Sequence, residues 1–140
     1  MPRFVLDASV TLAWCFENEA SDWTDLLLAR LKSGDQATVP AHWPVEVANA
    51  LLVAIRRGRI PREKGTRFFE DLRALPIQID AKSTESAFDR VFTLAEQHGL
   101  TIYDAAYLEL ATREGIPLAT LDSDLQRGAR AAGVVLVKES

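Results

Sequence analysis

The sequence predicts an α/β fold in which a parallel sheet of four to five strands is covered by helices on both faces, giving three α/β/α layers. Short, continuously apolar runs alternate with longer stretches of helical periodicity along the chain. This alternation is typical of parallel sheets that are buried on both faces. With 140 residues, no repeat and no linker-like stretch, the chain is expected to form one domain, residues 1–140.

The individual elements follow from apolar runs and from helix start and stop residues. The predicted strands are short apolar runs: residues 4–6, 37–40, 76–79, 117–121 and 134–137. The predicted helices, some with their capping residues included, are 11–17, 21–34, 43–57, 61–75, 83–99, 101–115 and 124–132. Ser21, Pro44 and Thr101 are the clearest helix starts, and Gly58 and Gly115 the clearest stops.

Composition excludes several classes of protein. One cysteine and two histidines are too few for a zinc site of the usual thiolate and imidazole kind. No apolar run approaches the roughly 20 residues of a membrane span, and the first strand follows Met1 almost directly, so we expect a cytoplasmic protein without a membrane partner. The net charge of −4 argues against nucleic-acid binding by bulk charge, although residues 56–67 are strongly basic.

Two predicted strands end in the same way. Asp7 directly follows the run at residues 4–6, and Asp122 follows the run at residues 117–121. Each aspartate could simply cap the next helix, and Ser9 could do so too. Because ligand sites in parallel sheets form at the carboxyl ends of the strands, the repetition favours two carboxylates at one site.

Glu46 lies in the first turns of a predicted helix that is otherwise almost entirely apolar. Glu46 and Asn49 are the only polar residues from Trp43 to Ile55 and, three positions apart, share one helix face. Asn49 is therefore a candidate supporting residue for a site that Glu46 forms. Such a helix is expected to be buried. Glu46 could favour the helix dipole, but an unpaired buried carboxylate is costly, so a partner is expected.

Asp104 is the fourth acid with an inward-facing pattern. The spacing from Thr101 to Asp104 resembles a helix-capping box. The same helix face continues through residues spaced by three, four and seven: Tyr107, Leu108 and Ala111. This stripe indicates a side chain that faces the core near the helix N-terminus. Because this helix follows another helix, the pattern leaves open at which edge of the sheet Asp104 lies.

Several carboxylates at one edge would repel one another, and some would be forced to stay protonated. No lysine or arginine adjoins any of the four in sequence: Asp7, Glu46, Asp104 and Asp122. A divalent cation is the simplest remedy, and oxygen-only ligands suit Mg²⁺ or Mn²⁺. Such an ion joins protein carboxylates to substrate phosphates and can activate a water for hydrolysis.

Four segments occur in an order and spacing that resembles a PIN domain. They are FVLDASV (4–10), PVEVANAL (44–51), TIYDAAYLELA (101–111) and LATLDSDL (118–125). The likeness is greatest to the small VapC-type ribonuclease toxins of bacterial toxin–antitoxin pairs, and it covers essentially the whole chain. Each segment alone is a weak signal, but the four together are specific.

The resemblance implies a PIN-like fold and metal-dependent endonucleolytic cleavage of RNA. It places Mg²⁺ or Mn²⁺ on the four acids and thereby puts Asp104 at the same site as the others. Small hydroxyl residues beside the acids, Ser9 and Thr120, and a further carboxylate, Asp124, would support the site. The resemblance also implies a homodimer and a small VapB-like antitoxin whose C-terminal segment blocks the acids, often with an arginine.

Other functions stay open at this stage. The basic residues Arg56, Arg57, Arg59 and Arg62 could contact an RNA backbone, or they could form a solvated helix end, which is the commoner case. The chain could be a non-catalytic RNA-binding or scaffolding PIN-like module. It could also be a phosphatase with Asp7 as nucleophile. Enzymes of the haloacid-dehalogenase kind, however, have a second aspartate where this chain has Ser9, and a lysine that we do not find.

Overall fold

The fold is described from a computed structural model, which covers residues 2–138. Its strands are β1 (Arg3–Leu6), β2 (Gln36–Pro40), β3 (Ile77–Asp80) and β4 (Leu118–Ala119). Its helices are α1 (Ala8–Ala13), α2 (Asp22–Lys32), α3 (Trp43–Arg56), α4 (Arg62–Arg73), α5 (Lys82–Glu85), α6 (Arg90–His98), α7 (Ile102–Glu114) and α8 (Ser123–Ala131). A single 3₁₀ turn, Glu17–Glu19, joins α1 to α2.

The four strands form one parallel sheet in the order β3-β2-β1-β4. Phe4, Val5 and Leu6 of the central strand β1 are completely buried. Because successive side chains of a strand point to opposite faces, both faces of the sheet must be covered. The predicted three-layer α/β fold is therefore confirmed, and all four strands end at the same edge.

The last predicted strand, residues 134–137, is reduced to a single bridge. Leu118 of β4 pairs with Leu136 at one position only. The Leu118 amide donates to the Val135 carbonyl at 2.9 Å, and the Val137 amide donates to the Leu118 carbonyl at 2.9 Å. The sheet thus has four strands among the described residues, at the lower end of the predicted range.

Two predicted helices differ from those observed. The helix predicted at residues 11–17 begins at Ala8, because Asp7 already occupies the N-cap position. The helix predicted at residues 83–99 is two helices, α5 and α6. Asp89 interrupts it, because its side chain accepts a hydrogen bond from the Arg90 amide at 2.6 Å and caps a new helix. A capping residue within a helical pattern was the available signal.

Helix α3 is less buried than its composition predicted. Val45 is 70% exposed and Leu52 is 42% exposed, and Asn49 lies on the same outer face. The inner face carries Val47 and Leu51, which are buried in the core. The prediction of a helix buried nearly all round was wrong, because only one side of α3 packs on the molecule.

The glycine within α4 has a packing reason. A Cβ at Gly65 would stand 3.1 Å from Cδ1 of Ile55 on α3, which is closer than side chains normally approach. Gly65 therefore allows α4 to lie close to α3. Among residues 2–138, none of the helices combines the length and the apolar character that crossing a bilayer requires.

Candidate functional site

Asp7 follows β1 and is 4% exposed. It occupies the N-cap position of α1, yet its side chain makes no capping hydrogen bond. Its Oδ2 instead accepts hydrogen bonds from the hydroxyl of Ser9 at 2.6 Å and from the hydroxyl of Thr120 at 2.7 Å. The simple capping interpretation therefore fails for Asp7, and the two predicted supporting hydroxyls both contact it.

Burial raises the pKa of Asp7 above its ordinary value, and the charges of Glu46 and Asp122 raise it further. The hydrogen bonds from Ser9 and Thr120 act in the opposite direction, because they favour the ionised form. Asp7 is thus held by donors that suit a carboxylate, in surroundings that disfavour its charge. A nearby cation would remove this conflict.

Asp122 follows β4 and caps α8. Its Oδ1 accepts a hydrogen bond from the Leu125 amide at 2.9 Å, so the capping interpretation holds for one of its oxygens. The Asp122 amide donates to the Thr120 hydroxyl oxygen at 3.0 Å. Thr120 therefore bridges the two aspartates: it donates to Asp7 and accepts from the backbone of Asp122.

Glu46 is held in place by an aromatic neighbour. The Tyr107 hydroxyl donates a hydrogen bond to Oε1 of Glu46 at 2.7 Å. Nε2 of His42 lies 3.0 Å from the same oxygen without pointing a hydrogen bond at it. The expected partner of Glu46 is therefore a buried tyrosine.

Tyr107 is the residue that sequence reasoning missed. It was assigned to a core-facing stripe, and it is indeed completely buried. Burial raises its pKa well above the ordinary range, and the charges of Asp7 and Glu46 add to the effect. The phenol therefore stays protonated and can act as a donor. Its position three residues after Asp104 was the signal that could have identified it.

Asp104 lies in the first turn of α7, where the Thr101 hydroxyl accepts a hydrogen bond from the Asp104 amide at 3.1 Å. Helix α7 runs down to the start of β4, antiparallel to the strands, so its N-terminus lies at the edge where the strands end. Burial raises the pKa of Asp104 to about 6, and the charges of Asp7, Asp122 and Glu46 raise it in the same direction. The charges of the other three acids thus all act on Asp104.

The acids do not form a ready-made cage. Within residues 2–138, no group of three or more His, Cys, Asp or Glu side chains stands close enough to hold one ion as the side chains are placed. Mg²⁺ usually keeps several waters and needs only one or two direct carboxylates. In Asp7, Glu46 and Asp122, the hydrogen bonds described above engage one named oxygen each. This open, oxygen-only arrangement fits a hydrated Mg²⁺ or Mn²⁺.

The remaining predicted residues lie further out. Asn49 is exposed on the outer face of α3, and no hydrogen bond among residues 2–138 joins it to the four acids. Asp124 is exposed and pairs with Arg127 at 2.9 Å, although its charge contributes to the raised pKa of Asp104. Of the eight predicted site residues, Asn49 is thus the least connected to the others.

The basic segment at residues 56–67 lies away from the acids. Glu46 is at the N-terminal end of α3 and Arg56 is its last residue, about 15 Å away along the helix axis at 1.5 Å per residue. Arg59 is engaged locally, with its guanidinium 4.4 Å from the centre of the Phe16 ring and 3.6 Å from Glu19. This placement favours the interpretation of the segment as a solvated helix end over that of an RNA-contacting surface.

Comparison with known proteins agrees with this architecture. The family model described as PIN domain matches residues 4–131. Ribonuclease VapC3 of Pyrobaculum aerophilum is 31% identical over 123 residues, which covers 88% of this chain and 92% of the relative. Ribonuclease VapC12 of Mycobacterium tuberculosis is 31% identical over 121 residues, covering 86% of this chain and 88% of the relative.

Solved structures share the fold. PAE2754 from Pyrobaculum aerophilum superposes with a TM-score of 0.71 at 24% identity, covering 97% of this chain and 84% of that one. VapBC2 from Rickettsia felis, bound to a DNA fragment from the promoter, gives a TM-score of 0.66 at 16% identity, covering 96% of this chain and 97% of that one. A toxin–antitoxin complex from Klebsiella pneumoniae gives a TM-score of 0.65 at 16% identity, covering 98% of this chain and 99% of that one.

Proposed function

Because the chain belongs to the PIN domain family, we propose that it is a metal-dependent endoribonuclease, the toxin of a type II, VapBC-like toxin–antitoxin pair. The substrate would be RNA, cleaved by hydrolysis of a phosphodiester bond. The observation that carries this proposal is the shared electrostatic environment of the acids, in which burial and the charges of four other carboxylates, Asp7, Asp122, Glu46 and Asp124, raise the pKa of Asp104 to about 6. Relatives that span most of this chain are named ribonucleases.

Asp7, Glu46, Asp104 and Asp122 would hold Mg²⁺ or Mn²⁺, directly or through water. When bound, such an ion supplies positive charge to the phosphate oxygens and lowers the pKa of a coordinated water. It would also favour the ionised forms of Asp7 and Asp104, whose pKa values burial raises. An oxygen-only donor set does not distinguish Mg²⁺ from Mn²⁺, since both ions suit oxygen ligands.

The chain's own residues would orient the acids. Ser9 and Thr120 both donate to Oδ2 of Asp7. These hydrogen bonds would fix the plane of the carboxylate and leave Oδ1 for the ion. Tyr107 fixes Oε1 of Glu46 in the same way. Preorganised ligands lose little freedom when the ion and the phosphate arrive, which is how a site of this kind gains affinity and rate.

A VapB-like antitoxin and a second copy of the chain are the proposed protein partners. The antitoxin proposal is supported by the fold likeness to a VapBC complex and to a toxin–antitoxin complex. An acidic site of this kind would attract a basic side chain from such a partner, since the charges of Asp7, Asp122, Glu46 and Asp124 add to burial in raising the pKa of Asp104. A cytoplasmic location goes with this function.

The alternatives make different predictions. A non-catalytic scaffolding module would bind RNA without cutting it, and would tolerate loss of Asp7. A phosphatase with Asp7 as nucleophile needs a free carboxylate oxygen and, commonly, a second acid two residues on. Here Ser9 occupies that position and donates to Asp7, which supports a ligand role over a nucleophile.

The test is cleavage of a mixed structured RNA pool by the purified, antitoxin-free protein in Mg²⁺, Mn²⁺ or EDTA. Asp7→Asn should abolish cleavage, and Asp25→Asn, at an exposed position of α2, should leave it intact. Titration with Mn²⁺ gives an independent readout, because Asp7→Asn should weaken Mn²⁺ binding too. Cleavage that survives EDTA, or that Asp7→Asn leaves unchanged, would refute the proposal.

A further inference from the structure

A cavity of about 540 Å³ lies at the β4 side of the sheet. Its walls come from the first turn of α2, from α8, and from β4 with the segment 134–138 beside it. The side chains used below are Trp23, Thr120, Gln126, Arg130 and Lys138. None of the four acids lines this cavity. Its volume is in the range that small ligands occupy in proteins, so it is a candidate binding site separate from the acids.

The pairing of the last segment with β4 places Lys138. Leu118 and Leu136 form a parallel bridge, and the Val137 amide donates to the Leu118 carbonyl at 2.9 Å. Thr120 and Lys138 each stand two positions beyond this bridge, and paired strands lie about 4.8 Å apart. Lys138 therefore reaches the edge where the strands end, on the side of β4 that faces away from β1.

Helix α8 forms the opposite wall and is tied to the end of β4. Nε2 of Gln126 donates to the Thr120 carbonyl at 3.0 Å. Arg130 lies four positions after Gln126 and therefore on the same helix face. The Val134 amide donates to the Ala129 carbonyl at 2.8 Å, so the chain turns back beside Arg130. These contacts bring the arginine and the last segment to one cavity.

The donors of the cavity lack acidic partners. Arg130 and Lys138 are exposed, and neither forms an ion pair within residues 2–138. Trp23 is 7% exposed, and its indole Nε1 is buried without an acceptor in the described part of the chain. A buried donor without an acceptor costs free energy. An anion with several oxygens would satisfy the two cations and the indole together.

We propose that this cavity binds a terminal phosphate group, with Arg130 and Lys138 as its cationic contacts and the Trp23 indole as a third donor. A terminal phosphate has three acceptor oxygens, whereas a carboxylate has two. Arginine can hold a phosphate through two parallel hydrogen bonds, and lysine adds a point charge.

The phosphate would belong either to a free small ligand or to the end of an RNA strand. Thr120 borders both places, since it lines the cavity and donates to Asp7 at 2.7 Å. A strand end could therefore lie in the cavity while the strand crosses the acids. Binding of a free ligand goes beyond the proposed ribonuclease function and does not require it, whereas binding of a strand end rests on that function.

The first experiment is calorimetric titration with inorganic pyrophosphate in EDTA at fixed ionic strength. EDTA keeps metal from the acids, so they cannot hold the probe through an ion. Arg130→Gln and Lys138→Gln should each weaken binding about tenfold, and Trp23→Phe, which keeps an aromatic ring, should weaken it too. Arg73→Gln is the matched control, because it makes the same change of charge at an exposed position of α4, and it should bind pyrophosphate like the wild type.

The second experiment distinguishes the two sources of the phosphate. An internally labelled 8-nucleotide RNA carries either phosphate or hydroxyl groups at both ends, and its binding is measured by fluorescence anisotropy in Ca²⁺, which also fills oxygen-ligand sites. If Arg130→Gln lowers the affinity for the phosphorylated strand to that for the hydroxyl strand, the cavity takes RNA ends. If Arg130→Gln weakens pyrophosphate binding alone, the cavity takes a free ligand.

The proposal is overturned if the wild type does not bind pyrophosphate, or if Arg130→Gln and Lys138→Gln bind it as the wild type does. An equal loss in Arg73→Gln would overturn it as well, because any cation would then have the same effect. Failure of the ribonuclease proposal has a different signature: RNA would stay uncut in Mg²⁺ and Mn²⁺, while pyrophosphate binding in EDTA would persist.

Discussion

The hydroxyl of Thr120 donates a hydrogen bond to Oδ2 of Asp7 at 2.7 Å and so joins the residues that follow two neighbouring strands. Val5 and Leu6 of β1 pair with Leu118 and Ala119 of β4, which sets the two residues side by side. The Asp7 amide also donates to the Ala119 carbonyl at 3.0 Å. The position of this acid is thus a direct consequence of strand register.

Thr120→Val removes this donor and keeps the shape of the side chain. The variant should bind Mn²⁺ about tenfold more weakly, since a hydrogen bond to a charged group contributes about 1.5 kcal/mol or more. Calorimetric titration with Mn²⁺ measures the change. Thr112→Val removes a hydroxyl that donates to the Leu108 carbonyl within α7, and it should leave Mn²⁺ affinity as in the wild type. Equal affinities in all three proteins would contradict the role given to Thr120.

The metal-free protein should become less stable as the pH rises from about 4 to about 6. Burial, aided by the charges of Asp7 and Asp122, raises the pKa of Asp104 from 3.8 to about 6. Between these values the folded chain binds more protons than the unfolded chain, so the free energy of unfolding falls as the pH increases. The raised pKa of Asp7 acts in the same direction.

Urea unfolding in EDTA at several pH values checks this prediction. Asp104→Asn cannot ionise at this position and should flatten the decline, and saturating Mg²⁺ should oppose it by binding the ionised carboxylates. A free energy of unfolding that rises with pH over this range in EDTA would show that the acids are not destabilised by one another.

Tyr107→Phe should reduce Mn²⁺ affinity about tenfold, because Glu46 loses the donor that holds its Oε1 at 2.7 Å. The loss should depend on Glu46: in a Glu46→Gln background, Tyr107→Phe should have a much smaller effect. Tyr103→Phe removes the other tyrosine hydroxyl of the chain and should leave Mn²⁺ affinity unchanged. Additive losses in the double variant would mean that Tyr107 acts on the fold and not through Glu46.

Arg113→Met should lower the free energy of unfolding by about 3 kcal/mol, since breaking a buried ion pair leaves a carboxylate without its partner. Glu109, which is 2% exposed, accepts from Nε of Arg113 at 2.9 Å, and Asp80 accepts from Nη2 at 2.6 Å. Guanidinium chloride melts measure the effect. The double variant with Glu109→Met should recover part of the loss; no recovery would place the defect in packing alone.

Strand order explains how much of the site could be predicted from the sequence. Asp7 and Asp122 each follow an apolar strand, and parallel strands end at one edge, so local pattern was sufficient for both. Asp104 needed more, because the element before it is a helix. A helix that leads into a parallel strand runs antiparallel to that strand, so its first turn returns to the same edge. Applied to α7, that rule would have placed Asp104 without any family resemblance.

The features that sequence reasoning missed depend on tertiary contacts. The spacing of Tyr107 three residues after Asp104 gives its helix face but not its partner, since its hydroxyl meets Glu46 across 61 positions of the chain. Burial of α3 was overestimated because its composition is apolar on both sides, although only one side packs on the molecule. The break between α5 and α6 depends on which of several capping residues the chain uses, and Asp89 was one candidate among many.

Glu46 and Arg56 lie at opposite ends of α3, so negative and positive charge are separated along this helix. A polyanion in dilute buffer would be drawn first to the basic end, remote from the acids, and such an encounter would be unproductive. The Debye length is about 10 Å at 0.1 M salt, shorter than the roughly 15 Å between the two ends. At physiological ionic strength the charges at the two ends therefore act independently of each other. Added salt would weaken unproductive binding at the basic end before it weakened binding at the acids.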